Sequence, residues 1–157
     1  MSSQPVSKGD GTLAGSIHAH VNSFRSSMGR KEVRRHAGLD KMAQQHSDYM
    51  RASRGKSSGG SLTHFGFEER AMMAQRMMSM GEVAENIATC SRQGNNAVPV
   101  LVNAWKNSTG HMKNMKGQWD VTGIGVSVDS DGTVFATQIF ANEDNSHMTM
   151  SHRMRQF

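Results

Sequence analysis

The sequence has one cysteine and no long apolar run. Because Cys90 is alone among 157 residues, the chain cannot form an intrachain disulfide framework. Its neighbours Ile87, Ala88 and Thr89 favour a half-buried thiol on a strand over a reactive nucleophile. No run reaches the length of a transmembrane helix, and the first residues lack the apolar centre of a signal peptide. The sequence as written predicts an intracellular protein, or a secreted one if a leader has been trimmed away.

Leucine is also scarce, with four Leu against fourteen Met. Methionine fills gaps well but specifies a shape less sharply, so we expect a methionine-packed and somewhat plastic core. The length suits one globular domain. Met72, Met73, Met77 and Met78 lie together on the third predicted helix and suggest either core packing or a groove for a lipid or partner. The spacing of Ala71, Met72 and Met78 favours core packing.

The formal net charge of +5 and the pI near 9.8 favour acidic partners. The basic residues are scattered, and their densest group, at 30–35, has no flanking aromatic residues. This pattern argues against specific nucleic-acid binding. We interpret the group as a solvated connection between two helices, with a patch for anionic lipid or another polyanion as the alternative.

Hydrophobic spacing predicts helices and strands in an order typical of an α+β layered domain. Helices are predicted over 16–27, 39–53, 67–78 and 98–107, a strand over 82–90, and a short turn over 111–116. Two strands, 121–128 and 133–141, form a hairpin around an Asp-Gly turn. Residues 1–13 are interpreted as a flexible lead, residues 14–141 as the domain, and residues 142–157 as a tail without clear periodicity.

Two imidazoles and one carboxylate are the main site candidates. Glu85 interrupts a largely apolar strand, so we expect its carboxylate to project from a buried strand. His64 follows a glycine-serine loop, and His111 follows a helix that ends near Ser108. We expect the fold to bring these three side chains together in one cleft.

Such a cleft has more than one chemical interpretation. Two neutral imidazoles and a carboxylate with open positions can bind Zn²⁺ and activate water. However, the separations of 21 and 26 residues impose no local geometry, and no His-Glu-x-x-His motif is present. Glu85 is therefore expected to orient a histidine through a hydrogen bond. A purely structural polar network is the alternative. His20 and His46 are expected at helix boundaries rather than as ligands.

Ser108, Asn86 and Trp105 are expected to support the cleft. One interpretation makes Ser108 a nucleophile, with His111 as its general base and Glu85 as the carboxylate that orients His111. It lacks a strained elbow motif, so a capping role at the turn is favoured. Asn86 is expected to bond backbone or loop groups near the cleft. Trp105 is expected in the core, where its indole N–H needs a partner.

Six short motifs occur in a fixed order over residues 16–141. They are His20-x-Asn22-x-x-Arg25, Leu62–Phe67, Ala84–Ile87, Trp105-x-x-Ser108-x-x-His111, Gly123–Val126 and Ala136–Phe140. Together they resemble the CAP superfamily, whose domain is also called SCP and which includes cysteine-rich secretory, antigen and pathogenesis-related proteins. The pattern is more similar to compact, disulfide-free bacterial members than to disulfide-rich secreted ones.

The resemblance implies a three-layer α-β-α sandwich with a small, largely antiparallel central sheet. It also implies a cleft in which His64 and His111 can hold zinc beside Glu85. Many eukaryotic members add a second cleft glutamate from the preceding helix, but residues 97–108 contain no acid here.

The function implied most often is non-enzymatic recognition of a sterol, a fatty acid or an anionic membrane surface, sometimes in host defence. The alternative is a zinc-dependent peptidase or esterase that uses Glu85 and His111.

Overall fold

The computed structural model describes residues 13–55, 62–144 and the backbone of 154–156. Helices α1–α5 in these ranges are Ala14–Ser27, Ala37–Ala52, Phe67–Met77, Ala97–Lys106 and Thr109–Met115. Strands β1–β5 are Arg34–Arg35, Met80–Cys90, Val121–Val128, Val134–Glu143 and Met154–Gln156. A 3-10 turn at Gly94–Asn96 precedes α4. Of the predicted lead, residues 1–12 lie outside the described residues, as do residues 56–61 of the glycine-serine loop.

The strands form one five-stranded sheet in the order β1-β3-β4-β2-β5. The three central strands are antiparallel: β3 and β4 are the predicted hairpin, and β4 also pairs with β2. The short edge strands β1 and β5 pair in parallel with β3 and β2. The register places Glu85 opposite Ile139 and Asn86 opposite Gln138, in the middle of the sheet. The α+β prediction is confirmed.

Helices cover both faces of the sheet because successive strand residues point to opposite sides. On one face Ala84 and Phe140 pack in a core with α1, α4 and Trp105. On the other face Val83 and Ile139 pack in a core with α2 and α3. The three-layer sandwich is confirmed. None of the helices described here is long and apolar enough to cross a membrane.

Helix α2 lies almost directly on the backbone of β3. A Cβ atom at Gly123 would stand 2.1 Å from the carbonyl carbon of Leu39, and one at Gly125 would stand 2.2 Å from the backbone nitrogen of Gln44. The Gln44 side-chain amide donates to the Val126 carbonyl at 2.8 Å and accepts from the Val126 N–H at 3.0 Å. The Gly-x-Gly sequence of β3 is therefore required by this close approach.

Two segments differ from the sequence prediction. Residues expected as a turn at 111–116 form most of helix α5, which begins with a bond from the Met112 N–H to the Ser108 carbonyl at 2.8 Å. The tail contributes strand β5, which pairs with residues 83–85 of β2. Both elements are too short to show a hydrophobic period, so the sequence pattern could not reveal them.

Candidate functional site

Glu85 is the centre of a buried polar network on the α2 and α3 side of the sheet. Its side chain is fully buried. Oε1 accepts from His64 Nδ1 at 3.0 Å and from Arg70 Nη2 at 2.8 Å, while Oε2 accepts from Arg70 Nε at 2.7 Å. Burial by itself raises the pKa of Glu85, but the hydrogen bonds from His64 and Arg70 and the Arg70 charge outweigh it. The pKa therefore lies below its ordinary value, and the carboxylate is ionised.

Arg70 connects Glu85 to the segment that precedes α3. Its guanidinium donates to the Phe65 carbonyl at 2.8 Å and approaches the His64 carbonyl at 3.4 Å. Gly66, at the N-cap of α3, has φ of +80°, and a Cβ there would come within 3.2 Å of Arg70 Nη1. A glycine at this position therefore lets the arginine fold back over the segment. Sequence reasoning missed Arg70, because an arginine in the first turns of an amphipathic helix is ordinarily solvated.

His46 also belongs to the network. It lies inside α2, is buried, and forms a 2.6 Å hydrogen bond from its ring Nε2 to the Thr63 carbonyl. Burial, and then the positive charge of Arg70, lower the pKa of His46. The expectation that His46 and His20 mark helix boundaries was wrong, since His20 lies inside α1 with its Nδ1 bonded to the Ser16 carbonyl. Polar residues on an amphipathic helix give no boundary signal unless they cap it.

Asn86 points to the opposite face of the sheet and connects β2 to α5. Its Nδ2 donates to the His111 carbonyl at 3.1 Å, and its Oδ1 accepts from Asn114 Nδ2 at 3.0 Å. Both ring nitrogens of His111 are buried. His64 and Glu85 are thus joined by a direct side-chain hydrogen bond. His111 is linked to β2 differently, because its main-chain carbonyl accepts from the Asn86 side chain.

The residues around Glu85 do not fit a zinc site that uses this carboxylate as a ligand. Both oxygens accept from Arg70, so a metal ion would have to displace a paired cation. Within the described ranges, no group of three or more His, Cys, Asp or Glu side chains is arranged to hold a metal. The Nδ1 of His64 bonds to Glu85, which leaves Nε2 as the nitrogen that would meet a ligand. Zinc binding by His64 and His111 stays a prediction.

Ser108, Trp105 and Cys90 make contacts that stabilise the fold. Ser108 stands at the N-cap of α5, but its side chain makes no capping hydrogen bond. Trp105 is fully buried, and its indole N–H donates to the Ile87 carbonyl at 2.9 Å, which joins α4 to β2. Cys90 is buried at the end of β2, and burial raises the pKa of its thiol.

An apolar cleft of about 280 Å³ opens between α2 and the segment 65–73. It is lined by Met42, Gln45, His46, Tyr49, Phe65, Gly66, Glu69, Arg70 and Met73. Tyr49 stacks on Phe65 with ring centroids 5.3 Å apart and on His46 at 5.8 Å. The aromatic wall therefore runs from the buried Glu85 network to the exposed ring of Phe65. Sequence reasoning raised a groove beside Met73 only as an alternative and did not identify the aromatic wall of the cleft.

The methionines of α3 correct a sequence expectation. Core packing was expected for this group, and Met78 does pack against the core of α2 and α3, but Met72, Met73 and Met77 are 39, 52 and 76% exposed. The buried stripe of the helix consists instead of Phe67, Ala71 and Ala74. Phe67, Ala71 and Ala74 recur at the spacing of one helix face, so Met72, Met73 and Met77 lie on other faces and project outward.

The chain belongs to the cysteine-rich secretory protein family, CAP, whose family model matches residues 18–140. No curated protein sequence matches the chain significantly. Among solved structures, it is similar to an outer surface protein of Borrelia burgdorferi, with 16% identity and a TM-score of 0.64 over 92% of this chain and all of that one. The protein BmVAL-1 is similar with 13% identity and a TM-score of 0.54, over 85% of this chain and 78% of that one.

A longer bacterial protein has the same fold. A cysteine-rich secretory protein of Staphylococcus aureus is 20% identical with a TM-score of 0.61, and the match covers 90% of this chain but 42% of that protein. The chain thus spans less than half the length of the staphylococcal protein. At these identities the likeness concerns the fold.

Proposed function

We propose that this CAP-family chain is a binding protein rather than an enzyme, and that it takes an apolar lipid in the cleft beside α3. One observation carries the proposal. Of nine large apolar side chains that are exposed in the described residues, six come from residues 49–77. Tyr49, Phe65 and Met73 line the cleft, and the other three, Leu62, Met72 and Met77, come from the same stretch of sequence outside its lining. A concentration of exposed apolar side chains marks an interaction site.

The polar network supports this proposal because it fixes the backbone that presents Phe65. Thr63 is held through its carbonyl by His46, Phe65 through its carbonyl by Arg70, and His64 through its ring by Glu85. A segment that is ordered before binding does not lose conformational freedom when the ligand arrives. On this proposal the charged residues position the apolar surface and take no chemical step.

The size of the cleft favours a fatty acid over a sterol. Its volume of about 280 Å³ lies at the small end of small-molecule sites. One acyl chain can lie along the wall of Tyr49 and Phe65 and contact the thioether of Met73, whereas the fused rings of a sterol are bulkier. Burial of the acyl chain against these side chains supplies the free energy of binding.

Displacement of a fluorescent fatty acid by oleate tests the proposal. Phe65→Ser and Met73→Gln should each weaken binding about tenfold, because each removes roughly 1.5 kcal/mol of apolar contact. Met28→Gln is the matched control, since Met28 is 45% exposed but lies at the end of α1. If the wild type and the three variants bind oleate with equal affinity, the proposed site is wrong. Displacement by cholesterol but not by oleate would assign the cleft to sterol.

A membrane surface is the other lipid partner that the apolar side chains suit. Flotation with vesicles of rising anionic lipid content separates it from a single bound lipid. Vesicle binding that disappears in Phe65→Ser, without binding of free oleate, would favour insertion of the 62–77 surface into a membrane. Absence of vesicle binding at low salt would remove the membrane role.

The second candidate function is a zinc-dependent hydrolase, which the His64–Glu85 hydrogen bond favours because a carboxylate commonly orients a metal-binding or basic histidine. The bidentate Arg70 pair opposes it, since it occupies the carboxylate. A zinc titration of the wild type against His64→Ala tests metal binding, and Arg70→Met tests whether freeing Glu85 raises the affinity. Ester or peptide turnover that persists in His111→Ala would point to a contaminant.

A further inference from the structure

The layer of α1, α4 and α5 carries basic residues but no acidic ones. Residues 86–119, which include α4 and α5, contain no Asp or Glu, and neither does α1. The helices of the opposite layer do contain acids: Asp40 and Asp48 lie in α2, and Glu68 and Glu69 in α3. The sandwich is therefore electrostatically asymmetric across its sheet.

A groove of about 440 Å³ lies in the acid-free layer where α4 meets α5. It is lined by Lys106, Asn107, Thr109, Met112, Lys113 and Lys116. None of the three lysines forms a salt bridge with a carboxylate in the described part of the chain. Lys106 instead has its ammonium 5.2 Å from the centre of the Phe24 ring. Three lysines thus line one groove, and none of them has a carboxylate partner among the residues that the structure describes.

A buried arginine makes this region still more positive. Arg25 of α1 is fully buried, and its Nη1 donates to the Met115 carbonyl at 2.7 Å and the Gly117 carbonyl at 2.8 Å, on either side of Lys116. Its Nε donates to the Lys31 carbonyl at 3.0 Å. The Met115 and Gly117 carbonyls, at the end of α5, would otherwise present partial negative charge next to the groove. Arg25 cancels that charge while forming no salt bridge itself in the described residues.

From this arrangement we infer that the lysine groove binds a phosphate group, carried by a phosphorylated small molecule or by a phospholipid headgroup. Lysine ammonium groups are compact point charges that suit phosphate oxygens. Thr109 and Asn107 add neutral hydrogen-bonding groups at the rim, and Met112 adds an apolar surface for the remainder of the ligand. Among the described residues no aromatic ring lines the groove, so these residues offer no platform for stacked nucleic-acid bases.

The groove is independent of the apolar cleft because the two lie on opposite faces of the sheet. Failure of fatty-acid binding at Phe65 would leave the phosphate inference intact, and the reverse also holds.

Titration with sodium pyrophosphate, followed by amide NMR shifts at constant ionic strength, tests the inference. Shifts are expected in residues 106–117, and Lys113→Gln/Lys116→Gln should weaken binding about tenfold or more, because it removes two charge-assisted hydrogen bonds. Lys113→Arg/Lys116→Arg should retain most of the affinity. Lys41→Gln, an exposed lysine of α2, is the matched control and should bind as the wild type does.

Vesicles of phosphatidylcholine, with and without phosphatidic acid, distinguish the two phosphate sources. Binding of pyrophosphate alone assigns the groove to a phosphorylated small molecule. Vesicle binding that the glutamine pair abolishes and Lys41→Gln does not assigns it to a headgroup. Shifts spread evenly over all surface lysines, or equal weakening by Lys41→Gln, would overturn the inference. Thermal midpoints near the wild-type value show that a loss of binding is not a loss of fold.

Discussion

Arg70 holds both carboxylate oxygens of the fully buried Glu85, through Nε at 2.7 Å and Nη2 at 2.8 Å. Removing one partner leaves the other without its opposite charge, with only the His64 bond remaining to Glu85 or the main-chain carbonyls to Arg70. Arg70→Met or Glu85→Leu should therefore each cost about 3–5 kcal/mol of unfolding free energy. Urea denaturation measures this loss. The double variant Arg70→Met/Glu85→Leu should lose less than the sum of the two single losses. Additive losses would mean that the two groups do not depend on each other.

His46 should make stability depend on pH below neutrality. Its pKa in the folded protein lies below that in the unfolded chain, so between these two values the unfolded state binds more protons. Stability should therefore fall as pH drops through about 6.5, with a slope of up to about 1.4 kcal/mol per pH unit. His46→Gln, which keeps a donor for the Thr63 carbonyl, should flatten this slope between pH 5 and 7. The exposed His20→Gln is the control and should keep it.

Gly125 should tolerate no side chain. A Cβ there would lie 2.2 Å from the backbone of α2, so Gly125→Ala should force the helix away from β3 and lower stability by about 1–3 kcal/mol. Gly81→Ala is the matched control in a strand, because its Cβ would meet its nearest neighbours at 3.7 Å. Thermal unfolding compares the two. An unchanged midpoint for Gly125→Ala would contradict the close packing of α2.

Cys90 should be unreactive in the folded protein. The thiol is buried, and burial raises its pKa, so little thiolate is available to an external reagent. With a disulfide reagent such as DTNB at pH 8, the native protein should react at least about a hundredfold more slowly than the urea-unfolded chain, because access requires opening of the core. Rapid labelling of the native protein would mean that the end of β2 opens readily.

Most of the fold could be predicted from the sequence because the long helices and strands show a clear hydrophobic periodicity. The Asp-Gly hairpin, the strand around Glu85 and four helices were predicted within a few residues of their observed bounds. What the sequence pattern could not supply were short pieces, α5 and β5, whose places depend on tertiary pairing with β2. Met72, Met73 and Met77 were misassigned because apolar residues lie on more than one face of this helix, so the periodicity alone does not say which face is buried.

Only part of the candidate site could be predicted from the sequence. Glu85 stood out because a carboxylate in an apolar strand needs a partner, and His64 supplies one of its bonds. Arg70 and His46 gave no such signal, since a charged or polar residue on an amphipathic helix is ordinarily assigned to the solvent face. Their inward positions depend on the approach of α3 and the 62–66 segment to α2, which no local pattern contains. The lysine groove likewise depends on the angle between α4 and α5.

The two tryptophans and the tyrosine lie on opposite sides of the sheet, which matters for spectroscopy. Trp105 and Trp119 are both essentially inaccessible and both lie in the core of α1, α4 and α5, whereas Tyr49, the one tyrosine, stands in the apolar cleft on the other side. Indole emission should therefore report melting of one half of the molecule, and phenol absorbance that of the other. Coincident transitions from these two signals would establish that both halves melt as a single cooperative unit.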